Sequence, residues 1–234
     1  MNYDLLFLDV DGTLKQEPYH ISEKNKEAVM NACHAGKKVS IATGRNKGLI
    51  LNTVRELQLA DYTNSYTVAL NGAHIIDNCT GDTLRTVPIS THLALQLFLM
   101  AYELDVSCHV YTENLICFNY SDFHYDWYKK LGCDCRLVDM GCSELGLDEA
   151  PLKFFVTSQD CEKLNTFKKE MHTATMHSLN AEFSSPYTLE YTSIHASKGL
   201  GMEYVCGLFG KSPSPAITAD EGENDISIKK YLLL

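Results

Sequence analysis

Along the first third of the chain, apolar residues fall into two alternating rhythms. Short unbroken runs, Leu5-Leu6-Phe7-Leu8 within 3–9, Val39 to Ala42 within 38–42, and residues 66–70, read as strands buried on both faces. Between them apolar residues recur three or four positions apart. Ala28, Val29, Ala32 and Cys33 follow Ser22, a good N-cap, and stop before Gly36. Leu49, Ile50, Thr53, Val54 and Leu57 make the inner stripe of a helix over about 47–57. Strands alternating with helices predict a parallel sheet with right-handed crossovers. The rhythm then changes. Residues 73–76 and 83–87 flank the turn Asn78-Cys79-Thr80-Gly81, and an apolar helix is expected over 90–104. Strands are expected over 106–112, 115–119, 152–158, 173–179 and 187–193, with a helix over 161–171. This middle portion reads as a separate α+β insertion with links near Thr83 and Glu190, so that the chain leaves its first domain and later re-enters it.

Composition narrows the class. A chain of 234 residues with 45% hydrophobic and 21% charged residues can bury a full core, in one large or two modest domains. A net charge of −10 argues against nucleic acid or an anionic membrane as a general partner. Nine cysteines are scattered, with Cys33, Cys108, Cys117 and Cys206 inside apolar patterns, as expected of small buried thiols in a reducing compartment. Cys133, Cys135 and Cys142 lie close together but lack the paired C-x₂-C spacing of a zinc site. The early apolar run is too short for a signal peptide and carries Asp4 and Asp9; no stretch reaches membrane-spanning length, so the cytoplasm is the expectation.

The chemistry sits where strands end. Asp9-Val10-Asp11-Gly12-Thr13 follows the first apolar strand, at the position where parallel sheets form ligand crevices. Two acids one residue apart beside a Gly turn can hold a hard cation such as Mg²⁺ and leave one oxygen free to attack. A bare Asp-x-Asp would equally suit a turn with solvated acids. Ile41-Ala42-Thr43-Gly44-Arg45 ends the second strand, and its hydroxyl and free N–H groups suit phosphate oxygens, although Thr43 also suits a helix N-cap. Val68-Ala69-Leu70-Asn71-Gly72-Ala73 reads as a strand breaking at an Asn-Gly turn, as in a plain hairpin. Lys198 lies in Ala196-Ser197-Lys198-Gly199, before a helix, where most lysines are solvated. Ile217-Thr218-Ala219-Asp220-Glu221-Gly222-Glu223-Asn224-Asp225 is another short apolar strand running into acids.

In this order the five segments resemble the motifs of the haloacid dehalogenase superfamily, in its Cof-type (subclass IIB) phosphatase branch. The resemblance spans Asp9 to Asp225. It implies a Rossmann-like α/β core with an inserted α+β cap of the C2 type, the core formed by 1–82 and 191–234 and the cap by 83–190. It implies a magnesium-dependent hydrolase of small phosphomonoesters, such as sugar phosphates, working through an aspartyl-phosphate. Asp9 would be the nucleophile, Asp11 the general acid and base, and Lys198 the bridge between carboxylate and phosphate. Thr43, Gly44, Asn71 and Gly72 would face phosphate or substrate. Asp9, Asp11, Asp220 and Asp225 would hold the metal, with Asn224 behind them. Arg45 would anchor a core loop or a nearby carboxylate. The last motif departs from the usual Gly-Asp-x-x-Asn-Asp, so either Asp220 or Glu221 takes the metal position, Asp220 being favoured because Mg²⁺ tolerates poor geometry badly. The chain also stops at Lys229-Lys230-Tyr231-Leu232-Leu233-Leu234, before the further strand and helix of Cof-like cores, which implies a truncated core. These departures keep open a non-catalytic relative that binds a phosphorylated metabolite; a phosphomutase or phosphotransferase of the same superfamily is also consistent with the motifs. The substrate, and the number of subunits, stay open. Tyr125, Trp127 and Tyr128 suit packing better than stacking on substrate, and of the histidines His195 stands nearest to Lys198.

Overall fold

The structure, a computed structural model, describes residues 4–16, 20–138, 145–211 and 216–219. They form two compact units, one from the described residues up to Thr86 and from His195 on, the other from Val87 to Ile194.

The chain begins with β1 (Leu5–Leu8), in which Leu5, Phe7 and Leu8 are buried. A small hairpin, β2 (Lys15–Gln16) with β3 (His20–Ile21), leads to α1 (Glu23–His34). Ser22 starts this helix by accepting the Asn25 N–H at 3.1 Å, and Gly36 follows its end with φ +76. Next come β4 (Lys38–Ala42), α2 (Lys47–Glu56) capped by Asn46, β5 (Tyr66–Ala69), β6 (His74–Asp77) and β7 (Thr83–Thr86). The excursion into the second unit supplies α3 (Thr91–Glu103), β8 (Ser107–Tyr111), β9 (Leu115–Phe118), α4 (Phe123–Lys130), β10 (Asp134–Leu137), β11 (Lys153–Thr157), α5 (Cys161–Thr175), β12 (Leu179–Ser185) and β13 (Thr188–Ser193). The chain returns through α6 (Lys198–Leu208) and β14 (Ala216–Ala219).

The first unit's sheet has the order β14-β1-β4-β5-β6-β7. Its first four strands are parallel and β6 and β7 antiparallel. Period-2 alternation divides its side chains. Leu8, Val39 and Ile41 pack with Val29 of α1 and Ile50 and Val54 of α2, while Leu5, Phe7 and Val68 pack with Met202 and Val205 of α6. Helices therefore cover both faces, and the strands read as continuous apolar runs for that reason. Leu8 is level with Ile41 and with Ala219, so β1, β4 and β14 end at the same height.

The second unit's sheet has the order β10-β9-β8-β11-β13-β12. One face, with Cys108, Val110, Cys117, Phe154, Val156, Leu189 and Tyr191, packs with Phe98 of α3 and Phe167 of α5. The opposite face carries His109, Tyr111 and Phe118 under α4, and a buried Lys153 paired with Glu190 at 2.7 Å.

One segment differs from expectation, and two more form elements that the pattern did not predict. Residues 173–175 are helical rather than extended, and β12 begins only at Leu179. Leu164, Phe167, Met171 and Thr175 share one buried helical stripe, and the Thr175 hydroxyl donates to the Met171 carbonyl at 2.8 Å. The aromatic segment over 123–128 forms α4 under an Asp122 N-cap. Residues 134–137 form β10, a half-exposed edge strand whose Asp134 and Arg136 hide any apolar pattern. Thr83–Thr86 pairs with β6, and Thr188–Ser193 is one strand.

Candidate active site

Asp9 is the first residue past β1 and is 8% exposed. The loop after it folds back on itself. The Leu14 and Lys15 N–H groups donate to the Asp9 and Val10 carbonyls at 3.3 and 2.8 Å, and Gly12, at φ +85, donates to the Lys15 carbonyl at 3.0 Å. Lys198, the first residue of α6, is 1% exposed and donates to Asp9 Oδ1 at 2.8 Å. The backbone start of α6 is fixed by Ser197, whose hydroxyl accepts the Leu200 N–H at 3.1 Å. Withdrawing an ammonium and a carboxylate from water costs several kcal/mol for each ion, and the 2.8 Å contact offsets part of that cost.

What brings α6 so close is the turn after β5. Leu70, Asn71 and Gly72 lie at φ 50, 55 and 92, three left-handed residues in succession. A Cβ on Gly72 would stand 2.1 Å from the Ser197 carbonyl oxygen, and one on Gly201 would stand 2.4 Å from Val68 Cγ1. The glycines let the backbones touch. The Asn-Gly pair is thus both a hairpin turn between β5 and β6 and the seat of the helix that carries Lys198.

Thr43 is fully buried just past β4. Its N–H donates to the Val68 carbonyl at 2.8 Å, and its own carbonyl accepts the Asn71 N–H at 3.0 Å. Its hydroxyl accepts the Arg45 N–H at 3.2 Å and keeps its own proton to offer. The Arg45 carbonyl accepts the Leu70 N–H at 3.0 Å. The Arg45 guanidinium reaches the mainly exposed Asp11 with two bonds, Nε to Oδ2 at 2.8 Å and Nη2 to Oδ1 at 2.5 Å. Burial, and then the Arg45 charge, hold Lys15 below the ordinary lysine range.

Asp9, Thr43, Asn71, Gly72 and Lys198 are therefore linked by direct bonds and contacts at the carboxyl end of one parallel sheet, with Gly44 between Thr43 and Arg45. Asp11 joins them through Arg45. Asp220, Glu221, Asn224 and Asp225 lie outside the described residues, as do the terminal residues from Lys229 on; the last described residue before them, Ala219, is level with Leu8. His195 is exposed, and Trp127 is partly so, whereas Tyr128 is buried with its hydroxyl 2.6 Å from that of Tyr111. Among the described residues no three His, Cys, Asp or Glu side chains converge as a metal cage, and Cys142 lies outside them. No helix among them is long and apolar enough to cross a membrane. The Arg45–Asp11 fork and the approach of Gly72 to Ser197 are long-range features; the resemblance implied a carboxylate as one partner for Arg45, whereas the closeness of Gly72 to Ser197 had no sequence signal beyond the Asn-Gly turn.

The family model for haloacid dehalogenase-like hydrolases matches residues 6–232. The chain is 24% identical over 236 residues to the pyridoxal phosphate phosphatase YbhA of Escherichia coli, covering 97% of this chain and 85% of that protein. A haloacid dehalogenase-like hydrolase from Bacteroides thetaiotaomicron superposes with a TM-score of 0.85 at 22% identity, over 98% of this chain and 86% of its own. The subclass IIB sugar phosphatase BT4131 gives 0.80 at 21% identity, over 98% and 85%. The chain belongs to the haloacid dehalogenase-like hydrolases.

Proposed function

We propose that this protein hydrolyses small phosphomonoesters, of sugars or similar metabolites, through a phosphoryl group carried on Asp9. The observation that supports this most is the buried 2.8 Å pair of Lys198 with Asp9, which joins the two ends of the chain at one strand terminus. A structural ion pair would serve as well anywhere in the core. This one stands beside the Thr43 hydroxyl and the left-handed turn at Asn71, at the strand end where a phosphate would be received.

Asp9 attacks phosphorus: a bond forms to its carboxylate oxygen as the ester P–O bond breaks. Asp11 gives its proton to the departing oxygen. Water then attacks the aspartyl-phosphate, its proton passing to Asp11, and phosphate leaves as the Asp9–phosphorus bond breaks. One residue serves both halves because the second reverses the proton transfer of the first. Lys198, Thr43 and the Gly44 N–H balance the charge on the transferring group, with Asn71 alongside. A carboxylate and a backbone carbonyl are hard oxygen donors, which fit Mg²⁺. Asp9, the Asp11 carbonyl and Asp220 would hold it, with Asp225 and Asn224 supporting, and when bound it offsets the repulsion between the Asp9 carboxylate and phosphate. The unit from Val87 to Ile194 would act as the cap that selects the leaving group.

The test is Asp9→Asn, which keeps the size of the side chain and removes the nucleophile. Release of inorganic phosphate from an aryl phosphate with magnesium present is expected to fall by about 10³-fold or more. Turnover that survives the change would refute the covalent scheme.

A further inference from the structure

We propose that the outer face of α4 is a docking surface for a second copy of this chain. The helix carries apolar residues on two sides. The inner side is occupied: Tyr128 is buried with its hydroxyl 2.6 Å from that of Tyr111, and the Tyr125 ring stands edge-on to Phe118 at 5.3 Å. The outer side is open to solvent. Phe123, Trp127 and Leu131 follow one another at every fourth position and are 76%, 37% and 42% exposed. That spacing sets them in one stripe along the helix and its C-cap. Two aromatic rings and a leucine in a row are what the centre of an interface contains and a solvated helix face avoids. The outer side of α5 shows the ordinary case, with Glu162, Asn165, Lys169 and Glu170.

The charges beside the stripe choose its occupant. Asp126 and Lys130 flank it on one side, one turn apart, and neither joins an ion pair among the described residues. When two copies of a helix pack antiparallel about a two-fold axis, the same flank of each meets the other with its direction reversed. With that axis at Trp127, the two Trp127 rings meet at the centre, and Phe123 of each copy lies level with Leu131 of the other. Asp126 of each copy then lies within about half a turn of Lys130 of the other. Each contact is made twice, so the face complements itself in apolar residues and in charge. In a chain of net charge −10 most faces of two copies repel, whereas α4 turns one acid and two lysines outward, Asp126 with Lys129 and Lys130. The α3 helix also exposes Leu99 and Tyr102, but it has no lysine or arginine to meet its Glu103. A stripe as short as that of α4 has the size of the smaller, transient interfaces, so the pair should form and part in the micromolar range.

Trp127 is the single tryptophan of the chain, so its emission reports on this stripe alone. The experiment follows sedimentation and tryptophan emission of the full chain together, from about 1 to 500 µM. The mass should rise toward that of two chains, and the emission should shift to the blue over the same range as Trp127 leaves water. Phe123→Glu keeps the reporter and should weaken association about tenfold or more. Asp126→Lys and Lys130→Asp, each alone, should weaken it about fivefold, and an equal mixture of the two should regain the strength of the wild type, because each lysine then faces an acid. A wild type that keeps the mass of one chain throughout the range overturns the proposal; emission already blue at the lowest concentration would then mean that the stripe is covered within one chain. A dimer indifferent to Phe123→Glu overturns it as well, since that dimer uses another face. So does a pair of charge variants that fails to recover on mixing, since the helices are then not antiparallel partners.

Discussion

Among the described residues each unit buries one lysine against one carboxylate, and the two pairs have different consequences. Lys198 and Asp9 meet at 2.8 Å where β1 ends and α6 begins; Lys153 and Glu190 meet at 2.7 Å in the middle of the second sheet. By distance and burial they are nearly alike. Their surroundings are not. Lys153 faces Thr192 and Glu190 faces Phe155 across the β11–β13 ladder, so the second pair is a diagonal contact between neighbouring strands, with the Tyr111 ring 5.9 Å from the ammonium. The first pair is assembled by turns, a helix start and a left-handed stretch of backbone, each ending at the same edge of the sheet. An ion pair inside a regular ladder orders the strands, whereas an ion pair assembled from chain ends is placed for a third party.

The largest effect that separates them should come from Lys198→Met. Loss of the charge that would offset the transferring phosphoryl group is expected to lower kcat/KM by about 10²–10³-fold in a phosphate-release assay. A loss below threefold would make Lys198 as structural as Lys153. Next in size is Lys153→Met, which removes the ammonium that meets the largely buried Glu190 at 2.7 Å. Urea unfolding should show a loss of about 3–5 kcal/mol, and Lys153→Met with Glu190→Leu should recover most of it, as apolar replacements of buried pairs do. A double variant as weak as the single would show that the pair itself, not its broken half, holds the sheet.

The smallest effect is one of pH. His109 is fully buried between the Phe118 and Phe155 rings, at 4.6 and 4.5 Å, with Nε2 2.9 Å from the Tyr111 hydroxyl. Its Nδ1 has no hydrogen-bond partner among the described residues. Burial, then the neighbouring His124, hold it well below the ordinary histidine range, so it is neutral in the folded chain. Below about pH 6.5 the unfolded chain takes up a proton that the folded chain refuses, and stability falls as pH falls. The Asp122 carboxyl acts further down. Burial raises it, but hydrogen bonds from His124 and Ser107 outweigh that and keep it low, so its contribution is lost only in the acid range. Thermal melts should drop by a few degrees between pH 7.5 and 5.5, and His109→Phe should flatten that slope. An unchanged slope would assign the drop to other groups.

Elements with local signals were legible in the sequence. Ser22 and Gly36 bracket α1, and Lys38–Ala42 was bounded correctly by its apolar run and the turn after it. Thr173 and Thr175 were misread because β-branched residues suggest strands, while the buried stripe with Phe167 and Met171 holds them in α5. In the site, Asp9, Thr43 and Lys198 were singled out by the order of their segments, which resembles that of a known family, since each alone also suited a solvated turn, a helix cap or a surface lysine. Lys153 gave no such sign: its burial depends on a partner strand that no local pattern names. The resemblance offered Arg45 a core loop or a nearby carboxylate; that the carboxylate is Asp11, held by a two-pronged fork, is settled only once both loops are folded.

Gly72 has a consequence beyond its own turn. The space beside the Ser197 carbonyl is smaller than any carbon atom, so the reach of a lysine more than a hundred positions later is set by an atom that is missing. Growing even a methyl group there would lever the first turn of α6 outward and part the ammonium from its carboxylate, although neither charged residue had been altered. In this chain a hydrogen on a hairpin serves as the shim that sets the distance between two charges.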